Sequence, residues 1–219
     1  MTESSTPKRS VELLISARWL IPVEPHGVVL EDHAVAVNEG AIVEVLPQAD
    51  AQSKYAPRER VDLPQHALIP GLVNAHTHSP MTLMRGLADD MPLMTWLREH
   101  IWPAEGAVMG AEFVRDGSEL AIVEMLRGGT TTCNENYFFP NAFAQACKSF
   151  GFRARVGLPI IEYPSAWAAD IDEYFDRALA VHDELKGDPL LGCTFAPHAP
   201  YTVSDSSFER IRTLSDQLD

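Results

Sequence analysis

The sequence is poor in cysteine and in positive charge, and it lacks any long apolar run. Its three cysteines, Cys133, Cys147 and Cys193, are odd in number and widely spaced in 219 residues. That pattern excludes a disulfide scaffold and reads as reduced, mostly buried thiols. Lys and Arg number 17 against 31 Asp and Glu, a formal net charge of −14. A surface of this sign repels phosphate backbones, which argues against sequence-independent nucleic-acid binding. No apolar stretch approaches the roughly 20 residues that a membrane-crossing helix needs. The start, Met1 to Ser10, is polar and carries no apolar leader segment. The expectation is a cytoplasmic protein with neither membrane nor nucleic-acid partners. What is present, 46% apolar and 22% charged residues, is an ordinary globular balance without repeats.

The chain changes character near residue 60. Short strand-like runs come first, at Val11 to Ile15, Ala34 to Val37 and Ala41 to Leu46, the last two separated by the turn residues Asn38-Glu39-Gly40. Residues 47–62 are polar, contain Pro47 and Pro57, and suit a linker or irregular crossing. From Ala67 strand and helix alternate. Apolar runs at Ala67 to Val73, Thr130 to Cys133, Arg153 to Ile161 and Leu190 to Phe195 read as strands. Helical spacing covers Glu112 to Arg127, with Phe113, Gly117, Leu120 and Ala121 on one side, and Asn141 to Phe150. It also covers the stretch after Asp170, with Glu173 completing a capping box, and a last helix from Ser204 that carries Phe208 and Ile211. About four βα units argue for a parallel sheet with helices outside. A (β/α)8 barrel takes roughly 250 residues, so four units are either half of one or an open sheet. The domains expected are 1–62, a partial β-sandwich, and 63–219, the βα units.

The sharpest chemical signal is Pro70-Gly71-Leu72-Val73-Asn74-Ala75-His76-Thr77-His78. Two histidines at i and i+2 at the carboxyl end of a strand lie on one side of it. Imidazoles aimed at one point suit a borderline metal such as zinc, and the carboxyl mouth of a parallel sheet is where such sites sit.

The stretch from Leu68 to Arg85 resembles the first strand of the amidohydrolase superfamily, and Asn-Ala-His-Thr-His resembles its aminohydrolase branch. Further matches are Leu83-Met84-Arg85-Gly86-Leu87, Trp96-Leu97, Ile101-Trp102-Pro103-Ala104-Glu105, Gly129-Thr130-Thr131-Thr132 and Ala196-Pro197-His198-Ala199-Pro200-Tyr201. Together they are most similar to the 5′-methylthioadenosine/S-adenosylhomocysteine deaminases. The resemblance implies an α/β fold: the N-terminal half of a TIM-like (β/α)8 metal-dependent hydrolase barrel, plus part of a small β-sandwich. It implies hydrolytic deamination of an adenine nucleoside, one divalent ion (zinc) held in part by His76 and His78, and a homo-oligomer in the complete protein.

By the same resemblance Glu105, on a Trp/Pro-rich loop above the mouth, grips the ribose hydroxyls; one carboxylate accepts two hydrogen bonds from a vicinal diol. His198 contacts the nucleoside, and Arg153 faces a substrate carboxylate. A second carboxylate-reading arginine would fall in Ser165 to Asp170, where this chain has none, so a methylthio or unsubstituted 5′ end is favoured. Trp96, Trp102, Met91 and Met94 are candidates to line an apolar pocket, with Met81 and Met84 close to the substrate. The remaining metal ligands and the proton shuttle are not assignable here, and the 219-residue chain alone is expected to be inactive. The rival readings are a deaminase of another aminated heterocycle (triazine or guanine), a dihydropyrimidinase-like amide hydrolase, which Asn74 disfavours, and a non-catalytic scaffold.

Overall fold

The computed structural model describes residues 7–218; Met1 to Thr6 of the polar start and the terminal Asp219 lie outside them. The chain forms two compact units that divide between Pro70 and Gly71.

In the first unit β1 (Arg9–Leu20), β2 (Leu30–Asn38), β3 (Ala41–Pro47) and β4 (Tyr55–Leu68) make one sheet in the order β3-β2-β1-β4. The β2–β3 hairpin turns through Glu39 and Gly40 at φ 52° and 72°. Two positive φ angles are what a two-residue turn matched to strand twist requires. β1 runs antiparallel to β2 and parallel to β4. The parallel pairing needs a crossover, which β2, β3 and helix α1 (Gln48–Lys54) provide. Val11, Leu14, Ala34, Ala36, Leu46, Ala51 and Tyr55 close the core of this unit.

The linker expected at 47–62 is instead α1 and the start of β4. β4 is an edge strand, where Pro57 and Pro64 are tolerated and Arg58, Glu59, Arg60 and Asp62 discourage further pairing. It stays paired to β1 as far as Leu20 opposite Leu68, so the boundary falls after Pro70 rather than after residue 62. The run Ala67 to Val73 is accordingly split between two strands by Pro70.

The second unit opens with β5 (Leu72–Thr77), a 3-10 turn (Ser79–Met84), α2 (Leu93–Thr95), a π-helical turn (Trp96–Ile101) and α3 (Trp102–Val108). There follow α4 (Ala111–Arg127), β6 (Thr130–Glu135), α5 (Pro140–Phe150), β7 (Arg153–Ile160), α6 (Ile171–Leu185), β8 (Leu191–Pro197) and α7 (Asp205–Leu218). The strands are parallel in the order β5-β6-β7-β8. Ala154, Val156, Leu158 and Ile160 alternate along β7 and bury against a core that includes Phe143 and Phe175. Each large side chain so buried contributes roughly 1.5–3 kcal/mol. Asp170 caps α6 by accepting from the Glu173 N–H at 2.9 Å.

Two local features position the site. Gly117 stands where α4 meets the turn after β5: a Cβ there would lie 2.5 Å from the Pro80 carbonyl oxygen. The inward stripe of α4 is Val114, Gly117, Ser118, Ala121 and Ile122, whereas Leu120, expected on it, is 41% exposed. The segment expected as a loop around Glu105 is helical, and Glu105 sits in the first turn of α3. Pro103 lacks an N–H and crowds the carbonyl of Glu99 four residues back; the wider π turn ahead of it absorbs the misfit. Among the described residues no helix is long and apolar enough to cross a membrane.

Candidate active site

Asn136, one residue beyond β6, ties two strand ends together. Its N–H donates to the Thr77 carbonyl at 3.0 Å, and its own carbonyl accepts a hydrogen bond from His78 Nδ1. A carbonyl only accepts, so Nδ1 carries the proton and Nε2 presents a lone pair. The His76 ring stands 5.0 Å away, centroid to centroid, and nearly perpendicular. Burial lowers the His78 pKa below the ordinary histidine range; the Asn136 bond opposes this, and the nearby His76 and His198 reinforce it. The ring is therefore neutral at neutral pH, the form in which imidazole binds a metal.

The next residue is clamped as well. The Ser79 N–H points between both oxygens of Glu135, at 2.9 and 3.1 Å. Glu135 is 2% exposed, and burial pushes its carboxyl up to about 7 despite the bonds from Ser79.

Glu105 accepts a hydrogen bond from the Tyr137 hydroxyl. Tyr137 is buried, with its ring 5.8 Å from that of His78. Burial raises the Glu105 carboxyl above the usual carboxylate range, and the Tyr137 bond pulls it back.

His198 follows β8 and donates its backbone N–H to the Ile160 carbonyl at 3.1 Å. Its Nδ1 is 2.9 Å from Thr202 Oγ1, whose own proton goes to the Ala199 carbonyl. Nδ1 is thus the donor, and Nε2 again presents a lone pair. Burial lowers the pKa of this imidazole too.

Four of the five residues singled out in the sequence, His76, His78, Glu105 and His198, therefore gather at the carboxyl ends of β5, β6 and β8. Arg153 does not, and its expected role facing a substrate carboxylate is corrected. It opens β7 at the opposite end, donating to the Pro189 carbonyl at 3.2 Å. The strand between it and Ile160 is roughly 23 Å long at about 3.3 Å per residue. Of the expected apolar lining, Trp96 and Met91 join Met81 and Met84 around a groove of about 630 Å³, while Trp102 and Met94 are exposed.

Burial pushes Cys133 up to about 12 and Cys193 to about 11, which leaves both as unreactive thiols. Two imidazoles side by side are the donor type that zinc takes, but they are only part of a set. Among the described residues no group of three or more His, Cys, Asp or Glu side chains could hold a metal. Sequence reasoning missed Ser79, Glu135, Asn136 and Tyr137. The signal for three of them was the polar run Asn134-Glu135-Asn136-Tyr137 at a strand's carboxyl end.

A match to the amidohydrolase family spans residues 67–219. The chain belongs to this family. It is 44% identical to the 5-methylthioadenosine/S-adenosylhomocysteine deaminase of Saccharophagus degradans, over 97% of this chain and 48% of the relative. The enzyme of the same name from Teredinibacter turnerae is also 44% identical, over 100% of this chain and 48% of its own. The chain thus spans about half the length of the curated relatives it matches. Among solved structures, an adenosine deaminase from Xanthomonas campestris with bound zinc superposes with a TM-score of 0.95 at 62% identity, over 97% of this chain and 48% of that one. An atrazine chlorohydrolase from Arthrobacter aurescens, 17% identical, superposes at 0.83 over 94% of this chain and 51% of its own, which speaks to the fold alone. The two curated enzymes carry the name that the sequence motifs pointed to. The parallel unit of this amidohydrolase is accordingly half of a TIM-like barrel rather than an open sheet.

Proposed function

We propose that the protein serves the metal-dependent hydrolytic deamination of an adenine nucleoside, 5′-methylthioadenosine above all, to the inosine analogue and ammonia. One observation carries this reading: the His78 Nε2 lone pair beside His76, with the Glu105 carboxylate linked to the same strand ends through Tyr137. His76 and His78 would supply two ligands of one divalent ion, zinc by donor type. When bound, that ion acidifies a water for attack on the purine C6. The chain's own residues hold the nucleoside. The Glu105 carboxylate accepts from the ribose 2′- and 3′-hydroxyls, and His198 offers Nε2 from the end of β8. This clasp orients the purine relative to His76 and His78.

The 5′ end carries no charged tail in this reading. Arg153 lies at the far end of its strand, and Ser165 to Asp170 contain no arginine but bury Trp167 and Ala168. Relatives named for deaminating both nucleosides support the substrate class. We further propose that the sheet of the first unit is part of a β-sandwich, and that the protein acts in the cytoplasm as a homo-oligomer on a small-molecule substrate.

The test is the ultraviolet change on deamination of 5′-methylthioadenosine by the protein at its natural, mass-verified length, with and without a chelator. Chelator-sensitive loss of the adenine band supports the reading. No change from a protein that carries one metal per chain refutes the nucleoside, and no change from a metal-free protein refutes the enzyme.

A further inference from the structure

We infer that Tyr137 is a positioning residue that sets the preference for ribose over 2′-deoxyribose, by holding the Glu105 carboxylate through its hydroxyl. The inference rests on the proposed role of Glu105 as the group that reads the diol.

Glu105 is poorly held by its own helix. α3 is one short element after a π turn, and its neighbours Trp102 and Val108 are 50% and 49% exposed. Among the described residues the Glu105 side chain accepts a single hydrogen bond, from Tyr137. Tyr137 itself is fixed: it belongs to the buried core of the barrel unit, and its ring lies against Phe138 at 5.6 Å and His78 at 5.8 Å. The hydroxyl therefore transmits the position of the β6 end to a carboxylate on a separate segment.

A carboxylate has about four acceptor sites. Tyr137 takes one on Oε1, which fixes the rotation of the group and leaves Oε2 and a remaining lone pair for two ligand hydroxyls. A ligand without the 2′-hydroxyl leaves one of these oriented sites unpaired on a half-buried carboxylate, and the loss is larger the better the carboxylate is held. Without the Tyr137 hydroxyl the carboxylate turns to suit whichever hydroxyl remains, and discrimination falls.

The experiment compares adenosine with 2′-deoxyadenosine in the zinc-loaded protein at its natural length, as wild type, Tyr137→Phe, Glu105→Leu and the double variant. Phenylalanine keeps the ring packed on His78 and removes only the hydroxyl. Dissociation constants for inosine and 2′-deoxyinosine by calorimetry give the same ratios without turnover. The wild type is expected to favour the ribonucleoside, and Tyr137→Phe to lose roughly tenfold of that preference through KM for adenosine. In the Glu105→Leu background the tyrosine change is expected to add nothing. The inference is overturned if Tyr137→Phe keeps the wild-type ratio, or weakens both sugars equally in both backgrounds. A wild type that does not distinguish the two sugars removes the reading of Glu105 instead, and the inference with it.

Discussion

Replacing Glu135 by Gln isolates a buried carboxyl whose proton is linked to stability. In an unfolded chain this group titrates near 4.5, and in the fold near 7, because burial disfavours its ionised form. Between those values the native state binds more protons than the unfolded state, so stability falls as pH rises and the contribution is gone above about 7. The difference corresponds to on the order of 3 kcal/mol. Other groups act in the same range with the opposite sign. Burial lowers His78 and His198, so the folded state binds fewer protons there and stability rises with pH.

The quantity to measure is therefore the difference between wild type and Glu135→Gln, in which the histidine contributions cancel. The amide oxygen still accepts the Ser79 N–H and carries no charge at any pH. Near pH 5 the two proteins should be within about 1 kcal/mol of each other, since both side chains are neutral. By about pH 8 the variant should be the more stable by about 2–3 kcal/mol, or roughly 4 to 12 °C in thermal midpoint. Urea unfolding in chelator, followed by the fluorescence of the buried Trp167, reads the barrel unit. Parallel pH profiles for the two proteins would refute the reasoning.

Gly117→Ala adds a Cβ 2.5 Å from the Pro80 carbonyl oxygen. Helix propensity favours alanine by about 1 kcal/mol, but the overlap costs about 1–3. The net expectation is a lower thermal midpoint together with weaker zinc binding, because the displaced turn begins one residue after His78; unchanged zinc affinity in isothermal titration would break that link. His78→Asn should remove bound zinc from the purified protein, and retention of one zinc per chain by metal analysis would show that this imidazole is no ligand. Arg153→Ala should alter KM for any nucleoside less than about twofold, as its guanidinium donates to the Pro189 carbonyl at the far strand end. A larger rise confined to substrates with a carboxylate tail would restore the role that the strand geometry takes away.

Much of the barrel unit was legible because its signals are local. Asp170 with Glu173 announces a helix start, Gly128-Gly129 a helix end, and the apolar run in Arg153 to Ile161 a strand. The histidine pair was legible for the same reason: a spacing of two on a strand fixes a shared side. What escaped depends on distant partners. Residues 55–62, the second half of the expected linker, look like one until β1 is known to lie beside them, since an edge strand tolerates prolines and charge that a central strand does not. The π turn before Pro103 follows from the competition between one missing N–H and an otherwise continuous helix, which composition does not resolve. Arg153 was misplaced because its role came from the resemblance alone; it opens its strand, whereas the site lies at the carboxyl ends.

The residues that sequence reasoning missed are those that hold the site rather than those that touch a ligand. Asn136 fixes the His78 tautomer, Glu135 fixes the Ser79 amide, and Tyr137 holds Glu105, all from three consecutive positions leaving β6. Parallel pairing places the ends of β5 and β6 side by side, with Thr77 opposite Glu135. Whatever leaves β6 therefore meets whatever leaves β5, and only there do the carbonyl, carboxylate and phenol find their partners. One strand end organises side chains presented by β5 and α3 alike. Changes at 135 to 137 should accordingly move metal affinity and sugar discrimination by altering how neighbours are held, while leaving the identity of every contacting group intact.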